Sequence, residues 1–530
     1  MTDRSSPALG IDLGTTRTVV VAADRGSYPV ASFDEGGSFC DHLPALAVHS
    51  QGRWWFGEAA RARVVGDADD HWATPSVKRT VSTLAPEAAL PGGPASTTAM
   101  GLLEAYLRWV ADMVRTRSNL EIPEDAPLTA MVAVPANAST RQRYLTLEAF
   151  SRAGFSVTGM VGEPTAAAVE YAHREPVALS ARSPKRYVVV YDLGGGTFDT
   201  AAVSLDGSRF SLLTSEGIER LGGADFDEEI LELAFTGLVE QGFEFATTTT
   251  VEHLDASTRA AMLELCRDAK EGLRPGSRRL LLDFGSVLPD APAVVLTTDT
   301  LYGRCRPHID RTIAMVDRVL ESLPQHGLDP SDPKQLGALY LVGGSVALPP
   351  VARALRERYG RKIKLSAQPH AATALGLAVA ADPSARIRIR EATTRHFGVW
   401  REALDGREKV FDPILSKDTL PPSEGEPLVV ERRYRPMHTV GHLRFLECSR
   451  LADDGRPAGD LTPWRQLRVP YDGADDSDDH AAEHRPVERT TAEGDEIVET
   501  YTHTQDGTIT VEIANAAAAF RRRYVLGAMR

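Results

Sequence analysis

The chain has 530 residues and a formal net charge of −14, with 59 Lys and Arg against 73 Asp and Glu. That length exceeds what one hydrophobic core serves, so two or more folding units are expected. The acidic balance opposes nonspecific binding to nucleic acid and to anionic membranes. The scattered Cys40, Cys266, Cys305 and Cys448 form no Cys-x-x-Cys pair and argue against a zinc or disulfide framework.

In chain order, residues 1–7 carry no apolar leader, and no later run reaches the length of a membrane span, so a soluble cytoplasmic protein is expected. The first informative segment is Leu9-Gly10-Ile11-Asp12-Leu13-Gly14-Thr15-Thr16-Arg17-Thr18, which leads into Val19-Val20-Val21. Alone, such a turn reads equally well as a plain hairpin. Residues 84–98, rich in Pro, Gly and Ala, form a loop. The strand-like run 130–134 is followed by a helix after Pro135. Ser139-Thr140-Arg141-Gln142 offers its cap, and Tyr144, Leu147 and Phe150 recur at helical spacing up to Gly154.

The most informative segment comes next. Tyr187-Val188-Val189-Val190-Tyr191-Asp192-Leu193 is an interior-type strand that runs into Gly194-Gly195-Gly196-Thr197-Phe198-Asp199. Glycines without Cβ let backbone amides close around phosphate oxygens. Asp192 and Asp199 offer the hard oxygens that Mg²⁺ or its waters prefer. This turn and the first share an Asp at the strand end and a hydroxyl at the glycine end, which suits a two-jawed clamp for nucleotide phosphates. A further strand at 338–342, among amphipathic helices, indicates α/β layering.

Near Asp382-Pro383-Ser384 the helical periodicity gives way to strand-like runs, so a domain boundary is expected there. Residues 427–434, 442–446 and 508–513 read as β-strands, the last after a Gln505-Asp506-Gly507 turn. The acidic segment 472–496 reads as a mobile loop, and the alanine-rich tail 516–526 admits at most one short helix.

The order of these motifs resembles the seventy-kilodalton heat-shock chaperones, within the actin-like ATPase superfamily. The resemblance runs through Gly10 to Thr16, Val77-Lys78-Arg79, Val132-Ala133-Val134-Pro135 with Arg143, and Gly162-Glu163-Pro164-Thr165. It continues through Asp192 to Asp199, Leu221-Gly222-Gly223-Ala224-Asp225-Phe226-Asp227, Leu341-Val342-Gly343-Gly344-Ser345 and Ala371-Ala372-Thr373-Ala374-Leu375-Gly376. It implies an α/β, two-lobed actin-like ATPase domain over residues 1–382, a linker at 383–396 and a β-sandwich-like peptide-binding domain over 397–530. It further implies ATP or ADP with Mg²⁺ as cofactors, and extended or unfolded polypeptides as clients. A J-domain co-chaperone and a nucleotide exchange factor are the partners it suggests, with no nucleic acid and no membrane.

By that resemblance Asp12, Asp192 and Asp199 gather Mg²⁺ and its waters, while Gly14, Thr15, Thr16, Arg17, Gly194, Gly195, Gly196 and Thr197 hold the phosphates. Lys78 and Glu163 flank the attacking water. Lys270, Gly343, Gly344 and Ser345 line the adenosine side. Read without it, Lys78 is a solvated surface charge and Glu163 a cap for the helix that begins at Thr165. Arginine far outnumbers lysine in this chain, so a lysine at position 78 points to a need for a compact ammonium.

The chain also departs from the family pattern. Cys266-Arg267-Asp268-Ala269-Lys270-Glu271 keeps Lys270 where the family has a Glu, a Lys and an Arg, and Ala347 stands where a second stacking Arg is expected. Weaker or less base-selective nucleotide binding follows, as does a gain in ATP affinity when Glu271 and Ala347 are both restored to Arg, with the larger effect in the double mutant. The linker Arg386-Ile387-Arg388-Ile389-Arg390-Glu391 is apolar only at every second residue, which suits an edge strand that buries Ile387 and Ile389 and couples the domains weakly. Nothing after the β-rich segment resembles the family's helical lid. Three functions remain open: an ATP-hydrolysing chaperone, a noncatalytic nucleotide-gated interaction protein, and a small-molecule kinase of the same superfamily.

Overall fold

Apolar β-branched runs build two sheets of the same plan in the computed structural model of the chain. It describes residues 7–66, 71–175, 183–245, 250–391, 393, 395–403, 408–417, 419, 426–471, 485–504 and 508–526. The expected turn at 505–507 and the acidic residues 472–484 lie outside the described residues. The chain divides into two compact units, Met1–Ala136 with Leu147–Arg388, and Asn137–Thr146 with Ile389–Arg530.

In the first unit, one five-stranded sheet runs in the order Phe155–Gly162, Leu128–Val134, Ala8–Leu13, Arg17–Ala23, Leu43–Pro44. A second sheet of this unit runs Ile363–Leu365, Leu336–Val342, Tyr187–Leu193, Phe198–Asp206, Arg209–Ile218, with a strand that opens at Arg388 at its edge. Each sheet has at its centre an antiparallel hairpin whose first strand also pairs in parallel with a strand from later in the chain. Val188, Val189 and Val190 have no exposed surface, as expected for a strand covered on both faces.

Two alanine-rich helices, Glu163–Arg174 and Ala372–Ala381, pack against each other, the second also against the hairpin of the first sheet. Small residues permit the close approach: a Cβ added to Gly376 would stand 1.8 Å from the Ala166 carbonyl oxygen. The helix Thr140–Arg152 begins at the expected cap. The Gln142 amide donates to Ser139 Oγ at 3.3 Å, and the Ser139 amide donates to Gln142 Oε1 at 2.8 Å, a reciprocal box.

The second unit holds two all-antiparallel four-stranded sheets. One runs Glu408–Leu415, His396–Ala403, Val440–Leu451, Pro457–Pro470; the other runs Leu428–Tyr434, Ile497–His503, Ile509–Asn515, Phe520–Val525. They enclose one core, including Phe397, Val399, Phe445, Val469, Tyr501 and Val511. Arg401 joins the sheets, with 2.7 Å bonds to Asp412 and to the fully buried Glu499, and Tyr434 and Tyr501 donate to Glu499 at 2.6 and 2.8 Å.

Two expectations are corrected here. The tail contains a strand rather than a short helix, because Phe520–Val525 alternates about the sheet and pairs with Ile509–Asn515, leaving the alanines before it as the turn. Arg388–Glu391 does form an edge strand, and the Arg388 amide donates to the Ser208 carbonyl at 2.9 Å, but Ile387 and Ile389 are only half-buried. Among the described residues no helix is long and apolar enough to cross a membrane.

Candidate functional site

The two glycine turns have the same local structure. The Gly14 amide donates to the Arg17 carbonyl at 3.0 Å, and the Gly194 amide donates to the Thr197 carbonyl at 3.0 Å. Each turn therefore closes its hairpin by the same bond, at the same end of its sheet. The turns face one another, since a Cβ added to Gly195 would meet Thr16 Oγ1 at 2.5 Å. Glycine there leaves room for the backbone amides to be approached by a ligand.

Between the turns lies a charged floor. Asp192 and Asp199 are opposed in register across the second hairpin, and Asp12 occupies the matching place in the first. Ser76 accepts from the Arg79 amide at 3.2 Å, which caps the helix Val77–Val81, and its hydroxyl donates to the Thr15 carbonyl, fixing this helix to the first turn. Lys78 on it reaches Glu163 Oε1 at 2.8 Å. Glu163 is not the cap of its helix; Gly162 is, without a side-chain bond, and the Glu163 carboxylate turns to Lys78 instead.

Burial dominates the electrostatics here. It pushes Asp12 up to about 7, helped by the Glu163 charge and opposed by Lys78. Asp199 rises to about 7 for the same reasons in the same order. Asp192 lies well above the ordinary carboxylate range through burial, then the charges of Glu163, Asp12 and Asp199. For Lys78 burial acts to remove the proton, but Glu163 and Asp12 outweigh it and raise the ammonium above its ordinary range.

Four carboxyl groups thus surround one ammonium, and Asp12 Oδ1 is buried without a hydrogen-bond partner. This excess of hard, underpaired oxygen fits a divalent cation. Among the described residues no three His, Cys, Asp or Glu side chains are arranged to ligate an ion directly. Mg²⁺ prefers hard oxygens and keeps several of its waters, which suits such a set.

The other wall is assembled from the second sheet and its helices. The Gly223 and Ala224 amides donate to the Gly194 and Gly195 carbonyls at 3.0 and 2.7 Å, bringing the N-terminus of helix Gly223–Glu240 against the second turn. Lys270 pairs with Asp227 at 2.7 Å and donates to the Gly223 carbonyl at 2.6 Å. Ser345 Oγ donates to the Gly194 carbonyl at 2.8 Å. Arg17 Nη2 donates to Glu271 Oε1.

The resulting cleft of about 560 Å³ has the size of a small-molecule site. Asp12, Gly14, Thr15, Thr16, Arg17, Lys78, Glu163, Asp192, Gly194, Gly195, Thr197, Lys270, Gly343, Gly344 and Ser345 all line it. Asp199 is buried and does not line it, and Gly196 packs against Gly222 and faces the first turn, where an added Cβ would stand 2.8 Å from Thr15 Cγ2. Glu271 and Ala347, the two departures, line it as well.

Sequence reading missed three features. Asp227, the partner of Lys270, stood in a quoted motif but received no role. The Arg17–Glu271 pair joins residues 254 positions apart, with opposite charge as its only sequence signal. At the rim, Asp41 accepts from its neighbour His42 at 2.9 Å and from His370 at 2.8 Å, and no local pattern connects this pair to His370.

A family model described as Hsp70 protein matches residues 119–387, just over half of the chain. The chain belongs to the Hsp70 family. It is similar to curated proteins named Chaperone protein HscA homolog: 30% identical over 396 residues to that of Cupriavidus pinatubonensis, and 31% over 398 residues to that of Bordetella petrii. The alignments cover 71% and 72% of this chain but 58% and 59% of those relatives, so the chain spans about three-fifths of their length. Hsp70 architecture, an actin-like domain followed by a β-sandwich, accounts for the paired hairpin sheets of the first unit and the two antiparallel sheets of the second.

Proposed function

We propose that this Hsp70-family protein binds and hydrolyses ATP in the cleft of its first unit, and that nucleotide controls the grip of its β-sandwich on extended polypeptide segments. The observation that carries this reading is the pair of glycine turns, each closed by the same backbone bond, that face each other beside the Lys78–Glu163 pair. Backbone amides and hydroxyls of Thr15, Thr16 and Thr197 bind the phosphates. Mg²⁺, held through its waters by Asp12, Asp192 and Asp199, would neutralise charge on the transferring phosphoryl group. Glu163 and Lys78 orient the attacking water, Glu163 accepting its proton while Lys78 keeps the carboxylate in place. Lys270, Gly343, Gly344 and Ser345 border the nucleoside. Residues 1–382 serve as the ATPase domain, 383–396 as the linker and 397–530 as the substrate domain, in a cytoplasmic protein served by a J-domain co-chaperone and an exchange factor.

A second reading, a nucleotide-gated interaction protein without turnover, draws on Glu271 and Ala347 in place of the family's stacking arginines. The two readings separate on phosphate release. With the full chain, Mg²⁺ and γ-labelled ATP, the first expects Mg²⁺-dependent release of inorganic phosphate that unfolded peptide alters. ATP bound without release at any peptide concentration would select the second.

A further inference from the structure

Arg17 closes the first glycine turn with its backbone carbonyl, and its side chain then crosses the cleft. Nη2 is bonded to Glu271, the last residue of helix Ala256–Glu271 on the opposite wall. Nη1 lies 3.9 Å from where a Cβ on Gly344 would stand. The guanidinium therefore sits among the first turn, the Gly343-Gly344-Ser345 turn and the helix end, inside the same cleft as both glycine turns.

The other cations that line the cleft are already engaged by groups that hold them to a wall. Lys78 is on Glu163, Lys270 on Asp227 and the Gly223 carbonyl, and Arg267 on Glu264 of its own helix. Arg274 donates to the carbonyls of Glu271 and Leu273. Arg17 has one side-chain partner among the described residues, a carboxylate whose side chain is 47% exposed. A guanidinium carries five N–H donors in a planar fork, so one bond fixes its direction and leaves the rest for a second anion.

We propose that Arg17 is the residue with which this cleft reads the phosphate chain of its nucleotide, and that Glu271 is the positioning residue that aims it. The proposal rests on the nucleotide reading of the cleft and adds a specificity role to it. A forked donor suits two phosphate oxygens at once, a match that a lysine at the same place cannot make. Glu271, accepting from one edge of the fork, leaves Nη1 on the side of Gly344. In this chain the cation comes from the phosphate turn itself, and the helix facing it supplies the carboxylate.

The test uses the full chain with Mg²⁺ and calorimetric titration of ADP and of adenosine, which lacks phosphate. Charge-assisted bonds of this kind correspond to roughly 10- to 100-fold in affinity, so Arg17→Ala is expected to weaken ADP by at least about tenfold and adenosine by less than about twofold. Arg17→Lys, which keeps the charge and spares the fold, should recover only part of the loss. Glu271→Ala should weaken ADP by about threefold in the wild-type background and have no further effect in Arg17→Ala, the sign of one coupled unit. Equal losses for ADP and adenosine, or full recovery by Lys, would overturn the phosphate-reading role. An unchanged Glu271→Ala effect in the absence of Arg17 would overturn the positioning role. A wild-type chain that binds neither ligand would overturn the nucleotide reading itself, and this proposal with it.

Discussion

Replacing Asp12 by Asn removes one carboxyl from the floor of the cleft while keeping its shape, and the buried charges make the consequence depend on pH. Folding raises this carboxyl from its ordinary 3.8 to about 7. Between those values the unfolded chain has released a proton that the folded protein keeps, so stability falls as pH rises through the window and is flat outside it. At 1.36 kcal/mol per pKa unit the loss is on the order of 4 kcal/mol for such a site taken alone. At pH 5 the folded wild-type carboxyl is still mostly protonated but the unfolded one is not, so about a third of the loss is already present; by pH 8 all of it is, and Asn spares the protein a buried charge. In metal-free buffer the Asp12→Asn chain is therefore expected to unfold modestly above the wild-type temperature at pH 5 and well above it at pH 8. Mg²⁺ with ADP should reverse the order at pH 8, because the wild-type carboxylates gain a counter-charge that Asn cannot use. The assay is calorimetric unfolding of the full chain with chelator and with Mg²⁺ and ADP. Parallel curves for the two proteins across pH 5–8 without metal would refute the reasoning, since they would mean that Asp12 ionises as freely in the fold as in water.

Two further outcomes follow from the cleft and the linker. Ala347→Arg should strengthen ADP binding by a few-fold through stacking on the base, which is worth roughly 0.5–2 kcal/mol. Glu271→Arg should instead weaken it by setting a second guanidinium against Arg17, so in calorimetry the double variant binds less tightly than Ala347→Arg alone; a double variant that binds best would mean that Arg17 moves aside freely. Ile387→Asp with Ile389→Asp should abolish any effect of ATP on release of a fluorescent peptide while leaving basal hydrolysis intact. Wild-type coupling should be smaller than the roughly 1–3 kcal/mol usual for allosteric sites. Strong ATP-triggered release that survives both substitutions would show that communication runs by another route.

The legible parts of the sequence were those whose signal is local. Asp192 and the three glycines after it announce a strand that ends in a tight turn, and Ser139 with Gln142 announces a reciprocal helix cap; both need only a few consecutive residues. Features that depend on distant partners were hidden. Glu271 read as a lost stacking arginine until Arg17 was found opposite it. The tail failed for another reason: four alanines carry high helix propensity, but Phe520, Arg522 and Tyr524 turn inward on a sheet, and tertiary pairing with Ile509–Asn515 overrides the local preference. In the linker the alternation was correct as a strand pattern, yet alternation alone does not say how much of Ile387 or Ile389 is covered.

Single-turnover hydrolysis, with the protein in excess over γ-labelled ATP, compares wild type with Lys78→Ala most directly, because it separates the chemical step from binding and release. Without Lys78 the Glu163 carboxylate faces Asp12 and Asp199 uncompensated and loses the partner 2.8 Å away that holds it in place. The expected result is a chemical step slowed by at least about 100-fold, with ATP affinity changed by less than about threefold, the pattern of a group that acts on the transition state. A rate that is unchanged, or that falls only in proportion to affinity, would contradict the account.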